Sequence, residues 1–463
     1  MMCSRPKEVK LFVILIIFRK NKKADKIFFS KIFRGYKKHN ILLTFSAGLA
    51  TFYKEEKSPK KGGQNKITRT KTMNFLYLSP NFPTYGWKFC RYLKENGVTV
   101  LGIGDTPYDN LQPELKDALT EYFWLPDMTD YDAVYRATAC LIHHHGKIQE
   151  VRSNNEFWLI TEAKLRTDFN MNGIRYPAIM DHKQKSRMKA YFKKAGVDCA
   201  AYCLPETFAD GKAFTDKHGF PVVVKPDDGV GACNTYTLHN ESEMADFFVQ
   251  KPNVPYIMEV FIDGHVETFD GVTDRNGNIV FCASQIYHQS LMDTVVNDDC
   301  IMYHSEPEMA ADIRKAGTAI VKAYDIRDTF FHFEFFRTTD KQTGKSKVMA
   351  LEVNMRPPGG MITEIYEASH DVNIYKVWAD VLVKGKTDCD LTPKRFAAFA
   401  SRKNRFNYMY SHDEILAKYG NHIMEHMPIE GITARAMGDY IYLLYADSLE
   451  QLNEIIDAIN ARA

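Results

Sequence analysis

The stretch that reads Leu-Glu-Val-Asn-Met-Arg-Pro-Pro-Gly-Gly constrains the fold of this chain more than any other. In an extended strand alternate side chains share one face. Glu352, Asn354 and Arg356 are therefore predicted on one face, while Leu351 and Val353 point to the other. The pattern indicates a strand with one apolar side and one side that carries metal-ligand residue types.

A second apolar run, Phe331–Phe336, contains one carboxylate, Glu334. The polar, glycine-containing segment 338–346 can reverse the chain, so the two runs are predicted to pair as antiparallel strands. Glu334 and Glu352 would then face the same cleft. Two carboxylates and one amide oxygen suit Mg²⁺, which prefers oxygen ligands. The same alternation is also ordinary on the wet face of a half-exposed sheet, so the pattern alone leaves both readings open.

The charge of the chain is unevenly distributed along its length. The formal net charge is +2, yet residues 1–72 hold 19 Lys and Arg against 4 Asp and Glu, and residues 73–463 hold 41 against 54. The apolar run Leu11–Phe18 is shorter than the roughly 20 residues that span a membrane, and basic residues follow where a signal-peptide cleavage site would lie. The sequence predicts that 1–72 is a disordered or non-native basic extension and that translation starts at Met73. If residues 1–72 are natively translated, their positive charge predicts a tether to a membrane or to nucleic acid. Otherwise neither partner is expected.

The nine cysteines are scattered and form no CxxC pair. Neither a disulfide framework nor a structural zinc site is therefore predicted, and a reducing cytoplasm is the expected compartment. The run His143–His145 has metal-ligand chemistry, but no partner motif lies nearby in the sequence.

The chain after Met73 alternates strand and helix patterns. Phe75–Leu78, Trp87–Glu95 and Val98–Ile103 predict a parallel strand–helix–strand unit. No third glycine follows Gly102 and Gly104 at the spacing of a dinucleotide fingerprint, which excludes an NAD site there. The further predicted elements are the helices Asp181–Lys194, Asp210–His218, Glu308–Ala323 and Ser448–Ile459 and the strands Asn253–Ile262, Val266–Val272, Ile279–Ser284, Thr433–Ala436 and Tyr440–Tyr445.

A β-branched strand ends at Lys225, and a loop containing Gly229 and Gly231 follows. A lysine beside a loop of backbone N–H groups is a plausible phosphate cradle. It is not a P-loop, because no GxxxxGK[ST] occurs in the chain.

The order of these motifs resembles the ATP-grasp superfamily, and within it the carboxylate-amine ligases related to biotin carboxylase, the carbamoyl-phosphate synthase large chain and D-alanine ligase. The match is best from Lys185 to about Ile365. The resemblance implies the following site. The phosphates would be contacted by Lys185, Lys225, Gly229 and Gly231, and the adenine by Glu259, Val260 and Ile262. The acid that binds the ribose would be Glu267 or alternatively Asp270. The metal ligands would be Glu334, Glu352 and Asn354, and the catalytic residues would be Arg356 and Lys225.

The resemblance also implies the architecture, a mixed α/β and α+β fold. An N-terminal Rossmann-like preATP-grasp domain (73–180) would precede the ATP-grasp domain (181–390), and a small C-terminal α+β module (391–463) would follow. Within the ATP-grasp domain, 181–262 would include the lid and 263–390 the metal and acceptor sites.

The function implied is an ATP-dependent carboxylate-amine or carboxylate-thiol ligase that uses ATP with Mg²⁺ or Mn²⁺ at two metal positions. Its partners would be a small carboxylate and an amine, and a homodimer is compatible with the family. The segments 285–307 and 357–364 are expected to line the acceptor site. Two alternatives stay open, a kinase-like phosphotransferase and an ATP-binding module without chemistry.

Overall fold

The structure is a computed structural model that describes residues 41–46, 49–54, 73–229, 234–289, 294, 297–340, 343–429 and 431–463. The chain separates into two units, Met1–Thr70 and Lys71–Ala463. In the first unit, β1 (Ile41–Ser46) and β2 (Leu49–Lys54) pair as antiparallel strands. Over the described ranges, every helix is too short or too polar to cross a lipid bilayer.

The second unit begins with a parallel sheet in the strand order β5-β4-β3-β6. Its elements are β3 (Asn74–Leu78), α1 (Gly86–Glu95), β4 (Thr99–Gly104), α2 (Pro113–Ala118), β5 (Glu121–Trp124), α3 (Tyr131–His145), β6 (Glu150–Arg152) and α4 (Leu159–Asp168). Helices cover both faces, so the central strand β3 is buried along its whole length. The predicted parallel strand–helix–strand unit is confirmed.

Helix α5 (Lys185–Ala195) begins later than the predicted Asp181. The residues before it form a short 3₁₀ helix, Ala178–His182. The start of α5 is fixed instead by Asp227, whose carboxylate accepts hydrogen bonds from the Ser186 amide and hydroxyl. The helix ends at Gly196, which adopts the left-handed conformation with φ 69°.

A four-stranded antiparallel sheet, hereafter the lid sheet, follows in the strand order β7-β10-β8-β9. Its elements are β7 (Tyr202–Cys203), α6 (Phe208–His218), β8 (Val222–Pro226), β9 (Tyr236–Leu238), α7 (Glu241–Gln250) and β10 (Tyr256–Val260). Val222, Val224 and Met258 on the strands pack against Phe214 of α6 and Met244 of α7. Strand β10 is shorter at both ends than the predicted Asn253–Ile262.

A nine-stranded sheet, hereafter the large sheet, forms the rest of the unit in the order β16-β15-β11-β13-β14-β17-β19-β18, with β12 beside β11. Its elements are β11 (His265–Thr273), β12 (Ile279–Ala283), β13 (Ile286–Tyr287), β14 (Met302–Ser305), α8 (Ala311–Tyr324), β15 (Phe330–Thr339), β16 (Ser346–Asn354), α9 (Ile362–His370), α10 (Ile374–Lys384), β17 (Phe396–Arg402), α11 (His412–Tyr419), β18 (Ile423–Pro428), α12 (Ile432–Met437), β19 (Tyr440–Ala446) and α13 (Leu449–Asn460). The predicted antiparallel pairing of the two apolar runs is confirmed by β15 and β16, and the predicted hairpin by β11 and β12.

The C-terminal segment differs from its prediction in one element. Residues 433–436 were predicted as a strand, but they lie in helix α12, which is bounded by Gly431 and Gly438 at positive φ. Strand β18 pairs with β19 on the side opposite β17. Strands β17 and β19 continue the large sheet rather than forming a sheet of their own. The domain boundaries at 180/181 and 390/391 stay predictions.

Glu367 on α9 gives the fold a pH-dependent component. Burial, reinforced by the nearby Glu364 charge, raises the pKa of Glu367 from 4.5 to about 7. A carboxyl whose pKa is raised by folding contributes stability that is complete below the unfolded value and is lost as the pH rises through the folded value. We therefore expect Glu367→Gln to raise the melting temperature at pH 8 and to change it little at pH 5, as measured by thermal unfolding across this range.

The matched control is Glu308→Gln, a change of an exposed glutamate. It should shift melting temperature by the same small amount at both pH values. Parallel pH profiles for Glu367→Gln and the wild type would contradict the assignment.

Candidate active site

A cavity of about 560 Å³ is lined by residues of both the lid sheet and the large sheet. It brings together residues that are far apart in the sequence. The predicted site residues that line it are Lys185, Lys225, Glu259, Val260, Ile262, Glu334, Glu352, Asn354 and Arg356. Gly231 lies outside the described residues, and Gly229 approaches the site through its backbone carbonyl.

The predicted metal ligands are set opposite one another by the register of β15 and β16. Glu334 pairs with Glu352, and His332 pairs with Asn354. The register shifts just beyond Glu334, so Leu351 is an extra residue on β16 and lines the cavity instead of pointing away from it. Such a bulge turns a side chain toward the cavity, although strict alternation would place it on the other face of the strand.

His332 contacts the Glu334 carboxylate, one of the predicted metal ligands. Its Nδ1 lies 2.6 Å from Asp270 Oδ1, and its Nε2 lies 3.2 Å from Glu334 Oε1. Burial opposes the charge on the imidazole, but the Asp270 and Glu334 carboxylates outweigh it and raise the pKa of His332 to about 9. A protonated ring donates both hydrogen bonds and fixes the orientation of the Glu334 side chain.

Glu259, on strand β10 of the lid sheet, forms ion pairs with two lysines. Lys225 Nζ lies 2.6 Å from Glu259 Oε2, and Lys189 contacts the other oxygen. Burial raises the pKa of Glu259, but the two lysines prevail and lower it to about 2. Lys189 was missed by sequence reasoning, although it lies one helical turn after Lys185 and faces the same way.

Lys185 reaches the end of the cavity that carries Glu352 from the first turn of α5. Its Nζ lies 3.5 Å from Glu352 Oε1 and donates to the Gly229 carbonyl at 3.2 Å. The cap by Asp227 explains this position, because Asp227 follows Lys225 by two residues and ties β8 to α5. Both predicted phosphate lysines are thereby brought to one cavity.

Arg356 is paired with a carboxylate that comes from the parallel-sheet region. Glu156 Oε2 lies 3.3 Å from Arg356 Nε, and Glu156 Oε1 lies 2.6 Å from Lys183 Nζ. Burial raises the pKa of Glu156, but Arg356 and then Lys183 lower it below its ordinary value. Glu156 lines the cavity and was not predicted, because it lies outside the matched motifs.

Comparison with known proteins places this geometry in context. No family model matches the chain. The L-arginine-specific L-amino acid ligase of Bacillus subtilis is 24% identical over 278 residues, which is 58% of this chain and 65% of that protein. The crystal structure of an L-amino acid ligase from Bacillus licheniformis has a TM-score of 0.65 at 16% identity and covers 84% of this chain and 97% of that one. An N5-carboxyaminoimidazole synthetase from Staphylococcus aureus, complexed with ADP, has a TM-score of 0.61 at 14% identity, with 83% and 96% covered.

The chain has the ATP-grasp fold. The predicted resemblance and fold class are thereby confirmed. The chain spans about two thirds of the length of the Bacillus subtilis relative. In this fold, the cavity between the lid sheet and the large sheet is the candidate nucleotide site.

One predicted nucleotide contact, Glu267, is not among the residues that line the cavity. Glu267 lies on the face of β11 opposite Val266 and is absent from the lining of the cavity. Its carboxylate pairs with Arg337 at 2.5 Å and with His265 at 2.9 Å. The alternative, Asp270, is fully buried beneath His332. Asp263, which sequence reasoning missed, lines the cavity next to Ile262.

The predicted acceptor segments both contribute to the cavity. Gly359, Gly360 and Ile362 line it from the start of α9, and Tyr287 and Tyr303 line it from the segment 285–307. The Tyr303 hydroxyl donates to the Gly360 carbonyl. Gly360 has φ 65°, and a Cβ there would lie 3.3 Å from that hydroxyl. Residues 290–293, 295 and 296 of the predicted segment lie outside the described residues.

Proposed function

We propose that this chain is an ATP-dependent ligase that activates a carboxylic acid as an acyl phosphate and passes the acyl group to an amine. The observation that carries the proposal is the convergence, in one cavity, of three oxygen ligands, two lysines and an arginine. Phosphoryl transfer needs positioned positive charge more than it needs covalent help from the protein. The fold and the ligase relatives support the same reaction class.

The metal ligands fit a hard divalent cation. Glu334, Glu352 and Asn354 offer two carboxylates and an amide oxygen on one wall of the cavity, which is the donor set that Mg²⁺ and Mn²⁺ accept. These three residues would hold the cation, which when bound neutralises the charge of the nucleotide phosphates.

The chain's own residues would act in two steps. A substrate carboxylate oxygen attacks the γ-phosphorus of ATP, the bond to the β–γ bridging oxygen breaks, and ADP leaves. Lys185 and Lys225 would hold the nonreacting phosphate oxygens during this transfer. An amine then attacks the acyl carbon, loses a proton and expels phosphate, with Arg356 stabilising the oxygen charge that develops.

The substrates proposed are amino acids. The Bacillus subtilis relative is by its name an L-amino acid ligase, and the acceptor end of the cavity carries Arg356, which suits a carboxylate, and Glu156, which suits an ammonium group. We also place the reaction in the cytoplasm, in keeping with the scattered cysteines.

The test uses the full chain with ATP, Mg²⁺, hydroxylamine and a pooled panel of amino acids and other carboxylic acids. Hydroxamate and ADP formed together in an acid-dependent manner would support acyl phosphate formation, and splitting the pool would identify the acid. ADP with a stable phosphorylated product and no hydroxamate would favour a phosphotransferase. Nucleotide binding without ADP release for any acid would contradict the ligase proposal.

Lys225 gives a prediction specific to nucleotide binding. Replacing it with methionine removes the cation at the end of β8, while Glu259 keeps Lys189 as its partner. A hydrogen bond to a charged group contributes about 1.5–3 kcal/mol, so the dissociation constant for ATP should rise roughly 10- to 100-fold in titration calorimetry. Lys217→Met, a change of an exposed lysine on α6, should leave ATP affinity unchanged. Equal ATP affinity for both variants would remove Lys225 from the nucleotide site.

A further inference from the structure

A second group of metal-ligand side chains lies at the amino end of the parallel sheet, away from the ATP-grasp cavity. Glu121 is the first residue of the edge strand β5, and His144 and His145 are the last residues of α3. One ligand atom from each of the three lies within 4.8 Å of the others. None of the three lines the ATP-grasp cavity.

Both imidazoles converge on one carboxylate. His145 Nε2 lies 2.6 Å from Glu121 Oε2, and His144 Nδ1 lies 3.0 Å from Oε1 and 3.3 Å from Oε2. Zinc–nitrogen and zinc–oxygen bonds are about 2.0–2.2 Å long, so two ligands of a tetrahedral ion are roughly 3.4 Å apart. The three side chains therefore need only a small outward adjustment to surround a metal ion.

The backbone that carries the histidines is anchored to the centre of the sheet. Asn74 on β3 is buried, and its side-chain amide donates to the His145 carbonyl at 2.8 Å and to the Lys147 carbonyl at 3.0 Å. Gly146 ends the helix with φ 82°. The backbone that carries the two histidines is thus held in place before an ion binds.

We propose that Glu121, His144 and His145 form a Zn²⁺ site that joins the end of α3 to the edge strand β5. Two imidazole nitrogens and one carboxylate oxygen are ligands that favour zinc over magnesium. The side chains are 23–40% exposed, which leaves room for water at the fourth position. The site would stabilise the parallel-sheet region and would take no part in the ligase reaction.

The experiment measures Zn²⁺ binding to the untagged full chain in the presence of excess Mg²⁺, with Co²⁺ absorption as a second readout. We expect one zinc ion per chain at this site, a zinc-dependent rise in melting temperature, and a cobalt spectrum without thiolate charge-transfer bands. His144→Ala, His145→Ala and Glu121→Gln should each weaken binding at least about tenfold, because each removes one of three ligands.

The matched control is His143→Ala, which removes a neighbouring histidine of the same helix end that lies outside the cluster. It should keep full zinc affinity. Cys140→Ser is the second control, because Cys140 Sγ lies 3.9 Å from His144 Nε2, the nitrogen that does not face Glu121. Melting temperatures in EDTA show whether each variant is folded before zinc is added.

Three results would overturn the proposal. The first is zinc affinity that is equal in the wild type and in all three ligand variants. The second is a loss in His143→Ala as large as the loss in His144→Ala. The third is a thiolate band in the cobalt spectrum that disappears in Cys140→Ser, which would assign the ion to a cysteine.

Discussion

Replacing Glu352 with glutamine is expected to lower ATP- and acid-dependent hydroxamate formation about 100- to 1000-fold. The exchange keeps the shape of the side chain but removes the charge of the carboxylate that faces Glu334 across the two strands. Removing one preorganised group that stabilises transition-state charge typically costs this factor in turnover. The measurement is the initial rate of hydroxamate and ADP release at saturating ATP and Mg²⁺.

Glu308→Gln is the matched control, since it makes the same chemical change at an exposed position. It should retain wild-type rates. An unchanged melting temperature for Glu352→Gln shows that the variant is folded. A Glu352→Gln protein with more than about a tenth of the wild-type rate would place the metal elsewhere.

Trp378→Ala is expected to destabilise the chain by about 3–5 kcal/mol, as for other fully buried aromatic residues. Trp378 on α10 is 1% exposed. Its ring centroid lies 5.2 Å from that of Phe89 on α1 and 6.0 Å from those of Phe75 on β3 and Phe330 on β15. One side chain thus connects the parallel sheet with the large sheet. Denaturant unfolding measures the loss as a lower midpoint.

The control for this change is Trp124→Ala. Trp124 lies on the edge strand β5 and is 48% exposed, and its indole nitrogen donates one hydrogen bond to the Asp105 carbonyl. Its removal should cost less than about 1 kcal/mol. Similar midpoints for the two alanine variants would show that the aromatic cluster around Trp378 does not hold the two sheets together.

The candidate metal ligands could be predicted from the sequence because the pattern of their spacing lies within two short strands. The spacing of two residues places Glu352 and Asn354 of β16 on one face, and Arg356 follows two residues beyond the end of the strand. The polar segment between β15 and β16 predicts their pairing, and the pairing brings Glu334 opposite Glu352.

The residues that were missed depend on long-range contacts. Glu156 reaches the cavity from the chain after β6, and no pattern within that segment indicates this. Lys189 follows Lys185 by one helical turn, but only the packing of α5 shows that this face of the helix meets the cavity. Glu267 falls outside the cavity lining because a change of one residue along a strand moves a side chain to the other face. Leu351 was misplaced for the related reason that a bulge interrupts the alternation.

The segment 433–436 was predicted as a strand, although Thr433 is its one β-branched residue. Ala434, Arg435 and Ala436 are good helix formers, and the helix is bounded by Gly431 and Gly438 at positive φ. Strand β18, which takes the place beside β19, is exposed along most of its length and has one β-branched residue, Ile423. Whether such a segment forms a strand depends more on pairing with a neighbouring strand than on its own composition.

The continuity of the large sheet has a consequence for shortened forms of this protein. Strand β17 is hydrogen-bonded to β14 on one side and to β19 on the other. A chain that ended before Phe396 would leave the backbone N–H and C=O groups of β14 without partners along a new sheet edge. Such edges recruit strands from other molecules. The C-terminal strands therefore protect the protein against aggregation, and premature termination there should yield insoluble material rather than an inactive soluble enzyme.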